Sequence, residues 1–283
     1  MTDKSLAVII PVFNGQEFIT RCLQSMIEQE ELTEIIIVDD GSTDNSIDII
    51  NAFANKDTRI QVLQHKDNTN LGRSATRNLG IKSASSRWIT FCDIDDYFLA
   101  DRFKPFATTN FDAIDGTHEP VQADYKNATL SSSTQEVTAV SKNFDQPRGL
   151  QDFLISHREE RISIISLIIK KSKIEDIGYF DENLKAGEDT DLIWRLTGIS
   201  SLRYFDVGAP RVIRGVHNQN TYQNREEVHQ SRKAFYKKWM TEMEQYNLSA
   251  AAKNRITESH QYYNGSNLSI LKSKLGRLWG DGG

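Results

Sequence analysis

The sequence is poor in cysteine, lacks long apolar runs and carries no net positive charge, and each shortage excludes a class of protein. Only two cysteines, Cys22 and Cys92, occur in 283 residues. Each sits in an apolar stretch (FITRCLQSM and WITFCDID), the usual setting of a buried free thiol, so a disulfide framework is not expected. No run approaches the roughly 20 apolar residues that cross a bilayer. The first apolar stretch is broken by Pro11, too early for a signal-peptide core and its cleavage site. A cytoplasmic location is therefore the expectation, with any membrane contact peripheral, at the inner face. The formal net charge of −5 has the wrong sign for the basic footprint of a general nucleic-acid binder. A Walker A loop, a G-x-G-x-x-G turn and a Ser/His/Asp arrangement are all missing, so P-loop, dinucleotide and hydrolase readings lack their residues.

What is present suits a soluble globular protein. With 38% hydrophobic and 26% charged residues, the chain can bury one sizeable core plus a small appendage. Leu6 to Val12 (LAVIIPV) is a β-branched run of the kind buried on both faces of a parallel sheet. Over Gly15 to Gln29 the residues Phe18, Ile19, Cys22, Leu23, Met26 and Ile27 recur at helical spacing. The cycle repeats with Glu34 to Val38 as a strand, Ser42 to Asp44 as capping side chains, and Ile47, Ile50 and Phe53 lining a helix. Ile60 to Leu63, Ser74 to Ala84 and Trp88 to Cys92 follow as strand, helix and strand. This alternation predicts an open, doubly wound, mostly parallel sheet, in which ligands collect beyond the carboxyl ends of the strands.

From about Ala100 to Gly149 the pattern loosens, and substrate-specific loops are expected there. Order returns with Ile162 to Ile169 as a buried strand, Glu188 to Leu196 as a short helix and Pro210 to His217 as a late strand. Beyond Asn218 the chain reads as helical, with Val228, Phe235, Trp239 and Tyr246 on one stripe. The implied division is a catalytic domain over 1–221, comprising a nucleotide-binding half (1–99) and an acceptor half (100–221), followed by a helical extension over 222–283.

Three polar clusters fall at strand ends: Pro11 to Asn14, Asp39 to Ser42 and Asp93 to Asp96. The sequence Asp93-Ile94-Asp95-Asp96 concentrates negative charge that a cation would relieve, and Mg²⁺ or Mn²⁺ takes carboxylate oxygens and completes its shell with substrate phosphates. A solvated turn capping the next helix is the competing explanation. Asp39 and Asp40 could likewise cap a helix near Asp44, and Asp189, Glu188 or Asp191 could be first-turn acids favoured by the helix dipole. Arg73 and Arg77 are candidate phosphate contacts. His217 stands at a late strand end, while His65, His118, His157, His229 and His260 have no supporting constellation.

The segments VIIPVFNGQEFITRCLQSM, EIIIVDDGSTDNS, NLGRSATRNLGI and WITFCDIDDYF, resumed at IGYFDENLKAGEDTDLIWRL and VIRGVHNQNT, resemble in order and spacing the inverting family 2 glycosyltransferases of the GT-A fold. The resemblance covers roughly residues 5 to 221. It implies that Pro11, Phe13, Asp39 and Asp40 cradle the nucleotide base, that Asp93 and Asp95 contact ribose and metal-bound diphosphate, and that Asp96 is an alternative ligand. It further implies Asp189 as the catalytic base, His217 as a metal or diphosphate ligand, and Arg77 as a basic residue near the donor. Arg73, Thr76 and Ile94 depart from the family's common residues, which bears on donor selectivity, and the Q-x-x-R-W signature of processive synthases is absent.

The function implied is a non-processive inverting transfer of one sugar, hexosyl in class, from a nucleotide diphosphate, most simply uridine diphosphate, to a hydroxyl on a saccharide or lipid-linked acceptor. Cell-surface polysaccharide or glycolipid synthesis is the setting. Two rivals are a sugar-1-phosphate nucleotidylyltransferase, for which PVFNGQEF lacks a dense Gly-rich basic loop, and a non-catalytic binding protein of the same fold. In the tail, Leu268, Leu271, Leu275 and Leu278 recur at helical spacing beside Lys272, Lys274 and Arg277. That segment, 266–279, is either a peripheral membrane helix or one folding back on the domain or on a second subunit of a homo-oligomer.

Overall fold

The computed structural model describes residues 3–100, 102–104, 106, 120–123, 127–129, 135–136, 148–157, 162–204, 212–215 and 225–265. Its first half runs β1 (Leu6–Val12), α1 (Ile19–Ile27), β2 (Glu34–Asp39), α2 (Ser46–Ala54), β3 (Ile60–Gln64), α3 (Arg73–Ser83), β4 (Trp88–Phe91) and β5 (Tyr97–Phe98). There follow β6 (Pro120–Ala123), β7 (Asn127–Thr129), β8 (Gln135–Glu136), α4 (Gly149–Ser156), β9 (Leu167–Lys170), α5 (Lys171–Asp176) and α6 (Glu188–Thr197). The described chain closes with β10 (Ser201–Tyr204), β11 (Val212–Arg214), α7 (Arg225–Glu242) and α8 (Ala250–Tyr263). Residues 266–279 and His217 lie outside the described residues.

A seven-stranded sheet has the order β10-β6-β9-β4-β1-β2-β3. β1 is central, buried along its whole length, and parallel to both β2 and β4, as its continuous apolar run requires. Pro11 is tolerated in this central strand for a local reason. The Ile9 carbonyl accepts the Cys92 N–H, whereas that of Val12 accepts the Asp40 N–H, so odd-numbered residues face β4. Pairing with β4 ends at Ile9, so Pro11 falls where its missing N–H removes no ladder bond. α3 lies close against β1 because Gly80 has no side chain: a Cβ there would stand 2.6 Å from Ile9 Cγ2.

The sheet is doubly wound and mostly parallel as expected, with one inversion: β9 runs antiparallel to both β4 and β6. Four of the expectations need correction. The stretch from Ala100 to Gly149 supplies β6 to the main sheet and β7 and β8 to a second, four-stranded sheet of order β5-β11-β7-β8; strands of two to four residues are too short to show alternation. The expected strand over Ile162–Ile169 begins as a 3-10 turn, Ile164–Ser166, closed by the Ser166 hydroxyl donating to the Ser163 carbonyl at 2.7 Å. That turn and the strand after it are equally buried, so hydrophobicity could not separate them. Regular helix starts at Ile19 rather than Gly15, because Gly15 and Gln16 donate their N–H groups to Ser46 Oγ and Asp44 Oδ2. Tyr246 lies past the end of α7, behind the turn Met243–Gln245, with its ring 5.0 Å from Trp239.

The buried residues of α7 and α8, among them Phe235, Trp239 and Ile256, belong to the same apolar cluster as the sheet and α6. Ser249, the N-cap of α8, also donates its N–H to Asp152 of α4. No described helix is long and apolar enough to cross a membrane.

Candidate active site

Loops at the carboxyl ends of β1, β2 and β4 meet the N-terminus of α6, and hydrogen bonds rather than apolar packing set their shape. Asn14, at φ +50°, donates its N–H to Ser42 Oγ at 2.9 Å, and its side-chain oxygen accepts from the Thr43 N–H at 2.8 Å. The Gln16 side chain accepts from the Asn45 N–H. Ser42 is therefore occupied by the first loop, and the N-cap residue of α2, Asn45, makes no side-chain capping bond; Asp44, one position earlier, accepts from the Ser46 N–H. Phe13 projects from this joined pair of loops, 51% exposed, an apolar ring at a strand end where a base could stack.

Asp39 and Asp40 are both buried. Asp39 accepts from the Ser42 N–H and from Gln64 Nε2, at 3.3 and 3.2 Å. Asp40 grips the next loop, accepting the N–H groups of Leu71 at 2.7 Å and Gly72 at 2.9 Å. Neither acid caps α2. Gly41 between them and Ser42 has φ +81°, and a Cβ there would meet the Asn68 carbonyl at 2.7 Å, so only glycine permits this loop contact. His65 does have a setting, which sequence reasoning missed: its Nε2 stands 3.2 Å from Thr76 Oγ1 and 3.5 Å from Asp40 Oδ1.

The acidic turn after β4 brings one oxygen each from Asp93, Asp95 and Asp96 within 4.8 Å of one another. Three hard, anionic oxygen donors at that spacing fit a divalent cation of the Mg²⁺ or Mn²⁺ kind. The turn is fixed from below by the thiols of Cys92 and Cys22, which donate to the Asp93 carbonyl at 3.4 and 3.9 Å. Both cysteines are free and buried, and burial pushes the Cys92 thiol well above its ordinary pKa, keeping its proton available for that bond. From above, the Gly215 N–H donates to Asp96 Oδ1 at 2.8 Å. A Cβ on Gly215 would stand 2.3 Å from the Asp95 carbonyl oxygen. Thus β11, paired antiparallel with β5, brings the chain two residues before His217 against the acidic turn.

Arg77 joins this turn to α6. Fully buried on α3, its guanidinium donates to Asp93 Oδ1 at 2.7 Å, to Asp189 Oδ1 at 3.0 Å and to Glu188 Oε1 at 3.3 Å, with its Cζ 5.4 Å from the centre of the Phe180 ring. Burial opposes the Arg77 charge, but the fields of Asp189, Asp93 and Glu188 overcome it and hold the guanidinium pKa above its usual value. Arg73 adds a second cation, with Nε 3.3 Å from Glu188 Oε1 and Nη2 donating to the Lys185 carbonyl. Asp189 responds differently. Burial raises its pKa, Arg77 opposes the rise, Glu188 and Asp93 add to it, and the balance pushes the carboxyl up to about 7. Its side chain remains 36% exposed, so the group that is poised to exchange a proton also reaches solvent.

The structure thus brings together Asp93, Asp95, Asp96, Arg77 and Asp189, with Phe13 and Asp40 on the adjoining loops and with Pro11, buried, and Asp39 in the last residues of β1 and β2. Glu188, Gly215, Asn78 and His65 were not legible as parts of this frame. Asn78 fixes the segment before α6 by exchanging hydrogen bonds with Phe180, its Nδ2 donating to the carbonyl at 3.0 Å and its Oδ1 accepting from the N–H at 2.9 Å. Only Glu188 carried a signal, through its place beside Asp189.

The profile of the family described as Glycosyl transferase family 2 matches residues 7–151. A Haemophilus influenzae glycosyltransferase is 31% identical over 184 residues, which cover 64% of this chain and 72% of that protein. The poly(ribitol-phosphate) beta-glucosyltransferase of Bacillus spizizenii is 41% identical over 95 residues, 32% of this chain but 15% of that longer protein. Among solved structures, S. aureus TarS 1-349 in complex with UDP-GlcNAc superposes with a TM-score of 0.66 at 20% identity, over 98% of this chain and 76% of that one. The Pyrobaculum calidifontis mannosyltransferase PcManGT in complex with GDP-Man and Mn2+ gives 0.61 at 16% identity, over 91% and 69%. At those identities the likeness is one of fold.

Proposed function

Because this chain belongs to glycosyl transferase family 2 and has the GT-A fold, we propose that it moves one sugar, with inversion, from a uridine diphosphate sugar to an acceptor hydroxyl. The observation that carries this reading is the buried Arg77, whose one guanidinium binds an acid of the diphosphate-side cluster and an acid at the start of α6. One carboxylate beside the acidic turn and one at the start of α6 are thereby held at a single cation, close enough to serve the departing diphosphate and the attacking hydroxyl of one sugar.

Phe13 offers its exposed face to the base, while Asp39 and Asp40 fix the loops around it. Asp93, held by Arg77, faces the ribose and diphosphate. The residues that would hold a divalent ion are Asp95 and Asp96, with His217 as a further ligand, and such an ion would neutralise negative charge on the departing diphosphate. Asp189 accepts the proton of the acceptor hydroxyl as that oxygen attacks. Its raised pKa makes it a stronger base than an ordinary carboxylate while leaving it ionised above neutrality. Arg77 holds Asp189 in place and lowers the cost of its charge. One displacement inverts the anomeric centre.

A thermal-shift panel of uridine and guanosine diphosphate sugars, each with and without Mn²⁺, tests the proposal. A donor present at a hundred times its Kd stabilises by about 2.7 kcal/mol, roughly 5–10 °C in Tm for a chain of this size. A uridine diphosphate sugar should give the largest shift, and only with metal. If no nucleotide sugar raises the melting temperature under either condition, the transferase reading fails.

A further inference from the structure

The N-terminus of α6 is held on two sides, and the second side is formed by the C-terminal helices. Asp191, two residues beyond Asp189, is fully buried. Its Oδ1 accepts from Trp239 Nε1 at 3.0 Å and lies 2.8 Å from Lys238 Nζ, both on α7. Its Oδ2 meets Arg195 Nε and Nη2 at 2.8 and 2.7 Å. The same Lys238 ammonium stands 2.9 Å from Asp181 Oδ2, at the head of the turn that leads into α6. One cation on α7 therefore ties down both ends of the segment 181–191 that presents Asp189. Between those ends is Gly187, the N-cap of α6 at φ +84°, where a Cβ would lie 3.4 Å from Phe235 of α7.

We propose that Lys238 and Trp239 are positioning residues for Asp189, which makes the α7 surface a working part of the transferase. The inference rests on reading Asp189 as the base. Asp191 is too deeply buried to meet substrate, and the polar bonds of Lys238 and Trp239 go to Asp181, Asp191 and Glu242, so their effect on the reaction passes through the placement of α6. Because a displacement of about 1 Å at a reacting group can cost up to ~10²-fold in rate, loosening this tie should lower turnover while donor binding, which uses the loops after β1, β2 and β4, persists. Lys238→Met keeps the aliphatic stem and leaves Asp191 with Arg195 and Trp239, so the variant retains a partnered buried acid. Trp239→Phe keeps an aromatic ring against Trp194 and removes the N–H together with part of the buried ring volume, so its loss of stability is measured beside its turnover.

The experiment uses the full chain. It follows hydrogen exchange over residues 181–195 and 34–45, UDP affinity in the presence of Mn²⁺ by calorimetry, and UDP release from the donor selected by the thermal-shift panel. In Lys238→Met, exchange should quicken over 181–195 and not over 34–45. UDP affinity should stay within about twofold while kcat falls roughly tenfold or more, as misplacement of a base predicts. Trp239→Phe should move in the same direction by less, and Lys238→Arg, which can still span two carboxylates, should recover most of the turnover. Unchanged kcat in Lys238→Met, or UDP affinity falling in parallel with kcat, overturns the inference. A wild-type chain that releases no UDP from any donor refutes the transferase reading instead, which keeps the two failures apart.

Discussion

Arg77→Met is the substitution on which the description of the site depends most. Methionine fills much of the space against Phe180 and removes the charge that three carboxylates share. Taking one partner from a buried ion pair costs about 3–5 kcal/mol, because the other charge is stranded. Here the stranded group is chiefly Glu188, whose side chain is 4% exposed, whereas Asp93 and Asp189 are 35% and 36% exposed and regain water. Arg73 stays 3.3 Å from Glu188. The loss should therefore fall at the lower end, about 3 kcal/mol, or roughly 6–12 °C in Tm at 2–4 °C per kcal/mol. Differential scanning calorimetry at neutral pH measures it. Removing Arg77 lets the Asp189 pKa climb further, so the double variant is compared at a pH high enough to ionise Asp189 without Arg77; there Asp189→Asn removes one of the repelling charges and should raise the melting temperature above that of Arg77→Met alone. Mn²⁺, by supplying charge near Asp93, should also restore part of the loss. An Arg77→Met chain that melts with the wild type, or a double variant that melts lower still, would refute the shared-cation description.

Three further outcomes are expected. Asp189→Asn should lower transfer by roughly 10²–10⁴-fold while UDP still binds; because the folded pKa of Asp189 is about 7 against 3.8 unfolded, its contribution to stability is full below pH 4 and lost as pH rises through 7, so the variant's Tm should vary less with pH across that window. A wild-type rate that rises through pH 7 on the same assay supports the assignment, and a flat profile contradicts it. Asp95→Asn should abolish the Mn²⁺-dependent part of UDP binding in a folded protein, and full metal dependence in that variant removes Asp95 from the cation site. Gly215→Ala sets a Cβ 2.3 Å from the Asp95 carbonyl, and should cost about 1–3 kcal/mol by overpacking and weaken Mn²⁺-dependent UDP binding, read by calorimetry and by titration; unchanged values for both would mean the contact with the acidic turn is slack.

The first ninety or so residues were legible because their strands are continuous apolar runs and their helices repeat buried residues at a regular interval. The motif acids were legible as well, since parallel strands place every loop that follows them on one edge of the sheet. Two kinds of feature escaped. Short strands such as β6, β7 and β8 carry too few residues to display a period, so most of the second sheet could not be read from Ser- and Thr-rich sequence, and nothing in the apolar run of β9 states its antiparallel direction. Long-range polar ties escaped for a different reason. Arg77 is a basic residue near an acidic motif in the sequence, but its partners Asp93 and Glu188 lie 16 and 111 positions away, and nothing in the residue types says which acid it will bind. His65, Asn78 and Lys238 are of the same sort: ordinary polar residues whose importance lies in whom they face.

The reciprocal bonds between the loops after β1 and β2 bear on how the site discriminates among ligands. Asn14, Gly15 and Gln16 are joined to Ser42, Thr43, Asp44, Asn45 and Ser46 before any ligand arrives, so the conformational entropy of these residues is lost at folding and not at binding. Association then needs no ordering of the cradle, and affinity reflects contact alone. On the proposed placement of the base beside Phe13, the same rigidity withholds adaptation: a base of another size could not recruit the loop to itself, because moving Asn14 breaks bonds to three backbone or hydroxyl groups of its neighbour at once. Selectivity of this kind comes from a surface that does not yield, and a change of donor preference would have to alter both loops together.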